Sequence, residues 1–567
     1  MSDRSDRNDR SDRNEPIDNG NGDGREQDAA GALSPEEILQ LLGGAPFDDD
    51  LDLDEDFAED FADEVVLLSE REQAERRRLE DTDWEYEADR VFDELMDRVG
   101  EAQPEPRLDA TRRACELLGD VHRAWPMIHI TGTNGKSSTA RIAASLLQAQ
   151  GLRVGVLTSP HLMRLNERIG IDGAPISDER LVANWRDIEP FLGLVDSELE
   201  AKGEPRLTFF EALTVLAFAC FADAPVDVAV VEVGMGGEWD STNVADGAVS
   251  VFTPIALDHQ NRLGDTIEQI ARTKAGIIKP GAAVVTASQQ PEALAQIERA
   301  ASLRDAKLYV EERDFSVTGD QLAVGGRLVS LRGLCGEYSQ VPLPLAGDYQ
   351  AHNAALAIAA VEAFFGAERA LPQDAVEAGL SNAVSPGRLE LIGANPAVVI
   401  DAAHNPHGAA HLAQAVTETF KFDHLTVVLG VLGDKNVSGI VKPLAQVADR
   451  IIVTQSESPR AIDAFELGEL VRDAVGEERA QALRVEVVDR AEDALVMARA
   501  EAAAASEDAV EGRVARTAGV LVTGSVTLIG EAAALADAEG WKSQPATAES
   551  AQNDAVPEGG LGEGMEF

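Results

Sequence analysis

Residues 128–139 read IHITGTNGKSST. In this segment a short apolar run is followed by glycines, hydroxyl-bearing residues and one lysine. Its Gly-Lys-Ser ending is that of a Walker A loop, in which glycines admit phosphates, a lysine neutralises their charge and a hydroxyl binds Mg²⁺. The Walker A pattern has its first glycine five positions before Gly135, where Ile130 stands instead. The spacing therefore predicts a phosphate-binding loop of a variant kind.

This loop stands between a predicted strand, closed by Ile130, and a predicted helix, opened by Ser138. Unpaired backbone N–H groups and the helix dipole favour phosphate at such a junction. Lys136 can reach the β- and γ-phosphates, and either Ser137 or Ser138 can offer a hydroxyl to Mg²⁺. The candidate nucleotide ligands are Thr133, Asn134, Gly135, Lys136, Ser137 and Ser138.

A carboxylate lies at the end of the apolar run VAVVEV, where Glu232 precedes a glycine-rich turn. Ligands of parallel α/β sheets bind at the carboxyl ends of the strands, so Glu232 is a candidate metal ligand as well as an ordinary strand-end acid. Ser159 precedes a proline and is also suited to capping a turn. His259 carries an imidazole, a softer ligand than Mg²⁺ usually takes, and a structural role is the alternative.

Short β-branched runs alternate with Ala-rich helical patterns through the middle of the chain. This alternation predicts parallel sheets covered on both faces. The stretch 315–341 alternates short strands with glycine-rich turns and predicts a small antiparallel insert, and the turn SPGR at 385–388 predicts a domain boundary. The strand candidates are MIHIT, VGVLT, VAVVEV, VSVFTPI, AAVVTA, AVVID, TVVLG, RIIVT and VLVTG, and the helix candidates are TARIAASLLQAQ, FEALTVLAFACFAD and NAALAIAAVEAFFG.

The 567 residues carry a formal charge of −52, which is the opposite of a nucleic-acid-binding footprint. The acid is concentrated at 48–64, where eleven of seventeen residues are Asp or Glu. Such a block repels itself and stays solvated. We therefore predict a disordered acidic tail over 1–80, with a short helix near 34–42, and a second disordered tail over 544–567.

The cysteines and the apolar runs predict a cytoplasmic protein without a membrane partner. None of the three cysteines lies in a Cys-x-x-Cys pair, which suits a reducing compartment and offers no zinc framework. No apolar run follows a basic start, so no signal peptide is predicted. The most apolar stretch, LTVLAFACFA, is too short to span a bilayer.

Several motifs occur in an order that resembles one family. The loop TGTNGK resembles the ATP loop of the Mur ligase superfamily, and most of residues 84–545 is similar to the folylpolyglutamate synthase and dihydrofolate synthase family. Glu238 departs from the family pattern, where arginine is common, and so does Thr273, where glutamate is common. The motifs are SPHL (159–162), ERI (167–169), TFFEALT (208–214), EVGMGG (232–237), DSTN (240–243), LDHQNRLGDTIEQIARTKAGIIKPG (257–281), GDYQAHNAA (347–355), PGRLE (386–390), DAAHNP (401–406), GDKN (433–436), SPRA (458–461) and VTGS (522–525).

The resemblance implies an α/β fold of two domains. The N-terminal one, 81–385, is a P-loop-type ATPase domain with a mainly parallel sheet and a small antiparallel insert; the C-terminal one, 386–543, is a Rossmann-like glutamate-ligase domain. The implied reaction adds L-glutamate to dihydropteroate, to reduced folates, or to both. ATP converts a carboxylate to an acyl phosphate, which the glutamate amine attacks, so the protein must neutralise charge and position groups.

The resemblance also implies a metal site. Glu232 would bridge two Mg²⁺ ions, with Ser159 on one and His259 on the other, and a monovalent cation is a further expectation. Lys274 lies fifteen residues after His259, where the family has a carbamylated lysine at the second Mg²⁺. The alternative is that Lys274 and Lys279 are solvated cations on a helix. A protonated ammonium beside a divalent cation would be repelled, whereas carbamate oxygens suit Mg²⁺.

Further residues are implicated around ATP and glutamate. Asn353 would contact the adenine side of ATP, with a helix N-cap as its alternative role. Arg388 and Asp401, from the second domain, would touch the nucleotide, and a guanidinium suits the transferring phosphoryl group. His404 and Asn405 are expected near the incoming glutamate. The expected catalytic set is Lys136, Glu232, His259, Lys274 and Arg388. The segment 106–120 is a candidate for the pterin pocket, and packing of an amphipathic helix explains its pattern equally well.

Two other functions remain as alternatives. A Mur-type cell-wall ligase would share the loop and the reaction, but it would need a uridine-binding domain ahead of the loop, where only a tail and a short helical region stand. A non-catalytic ATP-binding protein would recruit partners through the acidic tail, but it would need no second metal. We expect a monomeric ligase.

Overall fold

The computed structural model describes residues 83–100, 103–507 and 517–541. The predicted tails, including the short helix near 34–42, lie outside these ranges. The described residues form a first lobe, 83–381, and a second lobe, 390–541, each built on its own large sheet. Within the described ranges, every helix is too short or too polar to cross a membrane.

The first lobe is built on an eight-stranded sheet. Its strands are β1 (Met127–Thr131), β2 (Val154–Leu157), β3 (Ile169–Ile171), β4 (Ala174–Pro175), β5 (Val228–Glu232), β6 (Gly247–Phe252), β7 (Ala283–Thr286) and β8 (Lys307–Val310). They lie in the order β4-β3-β2-β5-β1-β6-β7-β8. The six strands β2-β5-β1-β6-β7-β8 are parallel to their neighbours, and β3 and β4 add an antiparallel edge next to β2. The prediction of a mainly parallel sheet is confirmed.

Helices cover both faces of this sheet. They are α1 (Trp84–Met96), α2 (Asp109–Leu117), α3 (Lys136–Ala149), α4 (Asp178–Lys202), α5 (Phe209–Asp223), α6 (Gln260–Leu263), α7 (Ile267–Lys274), α8 (Pro291–Leu303), α9 (Tyr349–Phe364) and α10 (Gln373–Ser381). Successive side chains of a strand point to opposite faces, so Ile128 and Ile130 join the core beneath α3 and α9, whereas Met127 joins the core beneath α4 and α5. Burial on both faces explains why the strands read as continuous apolar runs.

A three-stranded antiparallel sheet packs on α9, as predicted for the insert. Its strands are β9 (Ser316–Ala323), β10 (Gly326–Arg332) and β11 (Glu337–Leu343). The Tyr338 hydroxyl donates to Glu362 Oε1 of α9 at 2.7 Å and accepts the Leu371 N–H at 2.9 Å. Glu362 also accepts the Cys335 N–H at 3.2 Å. These bonds satisfy a fully buried carboxylate and join the insert to the helix.

The second lobe is a six-stranded sheet with helices on both faces. Its strands are β12 (Glu390–Ala394), β13 (Ala397–Asp401), β14 (His424–Leu429), β15 (Arg450–Gln455), β16 (Glu486–Arg490) and β17 (Ala518–Thr523), and its helices are α11 (Pro406–Thr419), α12 (Val437–Val447), α13 (Ala464–Val475), α14 (Glu477–Ala482), α15 (Ala491–Glu507) and α16 (Val526–Ala538). The strand order is β12-β13-β17-β14-β15-β16, parallel except for β12. The predicted α/β class is confirmed for this lobe too.

The carboxyl ends of the central strands carry the motifs found in the sequence. In the first sheet, Ile130 of β1 is in register with Glu232 of β5. In the second sheet, Asp401 of β13 is in register with Thr523 of β17. Parallel α/β sheets bind ligands at these edges, so each lobe has polar and charged residues at the edge of its sheet where a ligand would bind.

Tyr338→Phe should destabilise the first lobe, because it leaves the Leu371 N–H unpaired and removes one donor from the buried Glu362 carboxylate. We expect a loss of about 2 kcal/mol in the free energy of unfolding, measured by urea denaturation. Tyr86→Phe is the matched control, since Tyr86 is 61% exposed. Equal stability of the two variants would show that the bonds of Tyr338 do not hold the insert.

Candidate active site

The phosphate loop occupies residues 132–135, between β1 and α3. Gly132 and Gly135 have φ angles of 148° and 87°, a region that favours glycine. A Cβ atom on Gly132 would overlap the side chain of Thr253, and one on Gly135 would lie 2.7 Å from Asn353 Oδ1. Both positions therefore require glycine. The predicted strand–loop–helix junction is present, and its helix begins at Lys136, slightly before the predicted Ser138.

Lys136 and Glu232 meet at the carboxyl edge of the first sheet. Lys136 Nζ donates to Thr133 O at 3.3 Å and lies 3.8 Å from Glu232 Oε1. Glu232 is 1% exposed, and its Oε2 accepts the Ser159 N–H at 3.3 Å. Burial raises the pKa of Glu232, against the opposing effects of Lys136, the Ser137 hydroxyl and the Ser159 N–H. The structure thus brings Lys136, Ser137, Ser159 and Glu232 together.

The two adjacent serines of the loop have different surroundings. The Ser138 hydroxyl is buried and lies 2.8 Å from the Ser385 hydroxyl. Ser137 is partly exposed, and its hydroxyl lies close enough to the Glu232 carboxylate to lower the pKa of that group. The sequence left both serine hydroxyls as candidates for Mg²⁺, and in the structure the Ser137 hydroxyl is the one near Glu232.

Lys274 is buried behind the phosphate loop. Its Nζ donates to Gly132 O at 2.7 Å, and the residue is 5% exposed. Burial, followed by the charge of Lys136, lowers the pKa of Lys274 to about 7. Lys279 instead donates to Asn243 O at 2.9 Å, away from the loop. Lys274 and Lys279 are therefore not an equivalent pair of solvated cations, and that alternative is wrong for Lys274.

Asp258 lies among groups from both lobes. Lys435 Nζ is 2.8 Å from its Oδ1, and His404 Nε2 is 3.4 Å from its Oδ2. Asn405 Nδ2 also donates to its Oδ2 at 3.1 Å. Burial alone would raise the pKa of Asp258, but the His404 hydrogen bond and the charges of its neighbours hold it well below the usual range. This ionised carboxylate links the loop after β6 to the second lobe.

His259 follows Asp258 in the chain and lines the cleft. Its backbone is left-handed, with φ of 50°, and its Nε2 lies 3.9 Å from Asp258 Oδ2. Burial lowers the pKa of His259 to about 4, and the cationic charge of Lys435 acts in the same direction. The imidazole is therefore neutral at pH 7, with a lone pair free to accept.

Arg388 and Asp401 enter from the second lobe. Asp401 Oδ2 accepts the Leu389 N–H at 2.9 Å, and its Oδ1 accepts the Ala403 N–H at 2.8 Å. The carboxylate thereby holds the backbone beside Arg388, whose positive charge acts on both Asp401 and Glu232. Arg388 lines the same cleft as Glu232, so the two lobes meet at this place.

Asn353 lies inside α9, which begins at Tyr349 with Asp348 as its N-cap. Its alternative role as a helix N-cap is therefore wrong: the helix runs one turn further back than the run NAALAIAA indicates. Asn353 is buried, and its Oδ1 accepts from Thr139 Oγ1 at 3.5 Å. It lines the cleft against Gly135.

One cleft of about 2020 Å³ is lined by the phosphate loop together with Ser159, Glu232, Asp258, His259, Lys274, Asn353, Arg388, Asp401 and Lys435. Lysine and arginine side chains from the two lobes face the loop and the buried acid across it. Charge neutralisation from several sides suits a polyphosphate and a transferring phosphoryl group.

Comparison with known proteins decides the family. Residues 130–361 match the Mur ligase middle domain, and 387–526 match the Mur ligase glutamate ligase domain. The chain is 46% identical over 455 residues to the dihydrofolate synthase/folylpolyglutamate synthase of Mycobacterium tuberculosis, covering 78% of this chain and 92% of that protein. The chain belongs to the dihydrofolate synthase/folylpolyglutamate synthase family.

Solved structures of this family share the fold of the ligase described here. The M. tuberculosis folylpolyglutamate synthase complexed with ADP has a TM-score of 0.75 and 44% identity, over 80% of this chain and 99% of that one. An Escherichia coli relative in complex with DHPP and ADP has a TM-score of 0.63 and 29% identity, over 77% of this chain and 94% of that one. The predicted enzyme class, an ATP-dependent acid–amino-acid ligase, is confirmed, and neither alternative function is supported.

The two departures from the family pattern are neighbours in the ligase. The Glu238 N–H donates to Thr273 O at 2.9 Å. Their chain neighbours Gly237 and Lys274 also approach each other closely. A Cβ atom added to Gly237 would lie 2.7 Å from Lys274 O.

Lys435 is a site residue that the sequence did not indicate, and the segment predicted for the pterin pocket lies outside the cleft lining. Lys435 belongs to the motif GDKN, which was the available signal. The segment 106–120 packs α2 against α4 and α5 and does not line the cleft. The preceding stretch does, with Phe92, Met96, Gly100, Gln103 and Pro104 among the lining residues.

Lys435→Met should loosen the contact between the lobes, because it leaves the buried Asp258 carboxylate without its nearest cation. Removing one partner of a buried ion pair costs about 3 kcal/mol. We expect a larger radius of gyration by small-angle X-ray scattering and at least a tenfold lower kcat, the factor that about 1.4 kcal/mol produces.

Lys442→Met is the matched control, since Lys442 is exposed on α12 of the same lobe. A Lys435→Met protein as compact and as active as this control would mean that the Asp258–Lys435 pair does not join the lobes.

Proposed function

We propose that this ligase uses ATP to convert the carboxylate of a folate, or of dihydropteroate, to an acyl phosphate, and that the amine of L-glutamate then displaces phosphate to form an amide. One observation carries the proposal: Lys136 and Glu232 of the first lobe and Arg388 of the second line one cleft, close enough for both cations to act on the Glu232 carboxylate. Such a site neutralises charge from two sides and needs no covalent step on the protein.

ATP would lie along the phosphate loop, with its phosphates on the backbone N–H groups at the beginning of α3. Ser138 would contribute through its backbone, because its hydroxyl is bonded to Ser385. Asp401 would contact the nucleotide while it holds the backbone beside Arg388. The family structures with ADP support a nucleotide here. The proposed ligands are Thr133, Asn134, Gly135, Lys136, Ser137, Ser138, Asn353, Arg388 and Asp401.

We propose two Mg²⁺ sites, because hard oxygen donors converge in the cleft. The Ser137 hydroxyl, Ser159 and the Glu232 carboxylate fit the first ion. Glu232, His259 and a modified Lys274 would hold the second. Bound there, Mg²⁺ would neutralise charge on the transferring phosphoryl group. Among the described residues no group of three or more His, Cys, Asp or Glu side chains could hold a metal, so substrate oxygens and water would complete each site.

We propose that Lys274 carries a carbamate. In this reaction the neutral amine of Lys274 adds to the carbon of CO₂, and the resulting carbamic acid loses a proton to solvent. Burial supports it, since it lowers the pKa of Lys274 to about 7 and so leaves a large fraction of neutral amine at neutral pH. The Nζ–H that bonds Gly132 O survives the modification, because a carbamate keeps one N–H.

The folate and the glutamate would occupy opposite parts of the cleft. Phe92, Met96, Phe209 and Phe210 line an apolar part suited to a flat aromatic ring system. That an E. coli relative is solved with DHPP supports a pterin-containing substrate. His404, Asn405 and Lys435 line the part next to the second lobe, where we place the incoming glutamate, with Lys435 as a cationic partner for a carboxylate.

We also propose that the ligase works as a monomer in the cytoplasm, with a monovalent cation near the metals and without membrane or nucleic-acid partners. The formal charge of −52 supports the last point, because the phosphate backbone of a nucleic acid would be repelled.

A direct substrate comparison tests the proposed reaction. Purified ligase is incubated with ATP, Mg²⁺ and labelled L-glutamate, with either dihydropteroate or tetrahydrofolate, and products are identified by mass. We expect ADP release that requires both glutamate and one of the two acceptors. ADP release without incorporation of glutamate would contradict the proposal.

Lys136→Ala should abolish ligation and leave the fold intact, because Lys136 neutralises phosphate charge and its polar partners are Thr133 O of the loop and the Glu232 carboxylate of the site. We expect kcat/KM for ATP to fall by at least a hundredfold, as for loss of a charge-stabilising group in an active site. Lys202→Ala, at the exposed end of α4, is the control. Retention of more than about a tenth of the activity by a folded Lys136→Ala protein would rule this role out.

Lys274→Ala should lose most of its activity, and a short carboxylic acid at high concentration should restore part of it by replacing the carbamate. Independently of activity, ¹³C NMR after incubation with labelled bicarbonate should show a carbamate signal, stronger as pH rises through about 7 because more amine is neutral.

Lys279→Ala serves as the control for this signal, since Lys279 bonds Asn243 O outside the loop. The signal should persist in Lys279→Ala and vanish in Lys274→Ala. A wild-type protein without any carbamate signal, together with an active Lys274→Ala variant, would overturn the assignment.

A further inference from the structure

Asn134 of the phosphate loop reaches across the cleft to the beginning of α11. Its Oδ1 accepts a hydrogen bond from Asn405 Nδ2 at 3.0 Å, and its Nδ2 lies 3.0 Å from His407 Nδ1. Asn405 is the N-cap of α11, and its Oδ1 accepts the Gly408 N–H at 2.8 Å. These contacts join the loop of the first lobe to a helix of the second.

The N-cap bond determines the direction of every other bond in this chain. A backbone N–H can only donate, so the atom of Asn405 that faces Gly408 is its carbonyl oxygen, and its NH₂ group points to Asn134. The atom of Asn134 that receives this NH₂ group is therefore its own carbonyl oxygen. The NH₂ group of Asn134 then faces His407, whose Nδ1 must be unprotonated, with the proton of the neutral ring on Nε2.

We propose that His407 is a positioning residue for the phosphate loop: its unprotonated Nδ1 holds the Asn134 side chain, and with it the loop, against the second lobe. This role presupposes that the loop binds ATP, as proposed above. A doubly protonated ring would present an N–H to the NH₂ group of Asn134, and two donors that face each other cannot share a hydrogen bond. Asn134 keeps its bonds to Asn405 in either case, since Asn405 Nδ2 donates to its Oδ1 and its own Nδ2 lies 3.4 Å from Asn405 Oδ1. The bond to His407 is therefore the part of this link that depends on the protonation state of an imidazole.

The surroundings of His407 favour the neutral ring. It is partly buried, and its ring centroid lies 4.6 Å from that of His411, one turn along α11. Burial, and then His411, lower the pKa of His407. The bond to Asn134 is thus present at neutral pH and is lost as the pH falls below the ordinary histidine range. The titratable groups around this chain of bonds are His411, Tyr349, Asp258, His404 and Lys435.

Two substitutions separate this role from simple packing. His407→Asn keeps an acceptor near the place of Nδ1 but cannot be protonated, whereas His407→Leu fills space without an acceptor. At about pH 8 we expect the KM for ATP of His407→Asn to stay within about twofold of wild type, and that of His407→Leu to rise by about three- to tenfold, the range for one neutral hydrogen bond.

The pH profile gives a second readout. As the pH falls from about 8 through and below the ordinary histidine range, the KM for ATP of wild type should rise more steeply than that of His407→Asn, because position 407 can gain the disrupting proton only in wild type. His424→Leu is the control: this imidazole is 40% exposed and lies outside the cleft lining. Equal KM values for His407→Asn and His407→Leu at about pH 8 would overturn the proposal, as would parallel profiles of wild type and His407→Asn.

The tautomer itself can be observed in the unmodified protein. With histidine labelled by ¹⁵N, and the His407 signals identified by their absence from His407→Asn, we expect a protonated Nε2 and a bare Nδ1 at about pH 8. A protonated Nδ1 at that pH would contradict the proposal even if the leucine variant failed to fold. Wild-type turnover that did not need ATP would instead refute the proposed function, and the same assay shows this before any variant is compared.

Discussion

The phosphate loop has almost no space around it, and the rest of the site is arranged accordingly. Gly132 passes against Thr253 at the end of β6, and Gly135 passes against Asn353 of α9. From behind, Lys274 of α7 donates to the Gly132 carbonyl. One short backbone segment therefore holds three separate elements at fixed distances. Any side chain at either glycine would push the loop away from the edge of the sheet where Glu232 lies.

Burial acts on the charges of the site, raising the pKa of one buried acid and lowering that of one buried amine. It favours the neutral forms of the Glu232 carboxylate and the Lys274 amine, since neither has enough opposite charge nearby to offset desolvation. Asp258 is buried as well, but it stays ionised because Lys435 and His404 lie beside its carboxylate and offset desolvation. The Asp258 carboxylate, which joins the lobes, therefore keeps a fixed charge, whereas the charges of Glu232 and Lys274 depend on what enters the cleft.

Much of the chemistry could be predicted from the sequence because it is local. Lys136 and Ser137 follow a β-branched strand directly, and Glu232 closes another, so strand–loop–helix logic places them at a sheet edge without knowledge of the packing. The alternative role of Asn353 as a helix N-cap was wrong for a similarly local reason. The residues at 348–352 include several polar side chains, so the apolar pattern indicates a helix start one turn too late. The position of the apolar end of the cleft could not be predicted, because α1 and α2 are both amphipathic and only packing decides which one faces the cleft.

By itself the sequence determined the α/β class, the antiparallel insert, the loop and the family, because these depend on periodicity and on motifs within one segment. Only the tertiary structure decided which of two adjacent serines faces Glu232, which of two lysines is buried against Gly132, and which residues join the lobes. Those outcomes depend on contacts between residues far apart in the chain, such as Ser138 with Ser385 and Asp258 with Lys435. The direction of a hydrogen bond between such residues is determined only once every donor and acceptor has its partner.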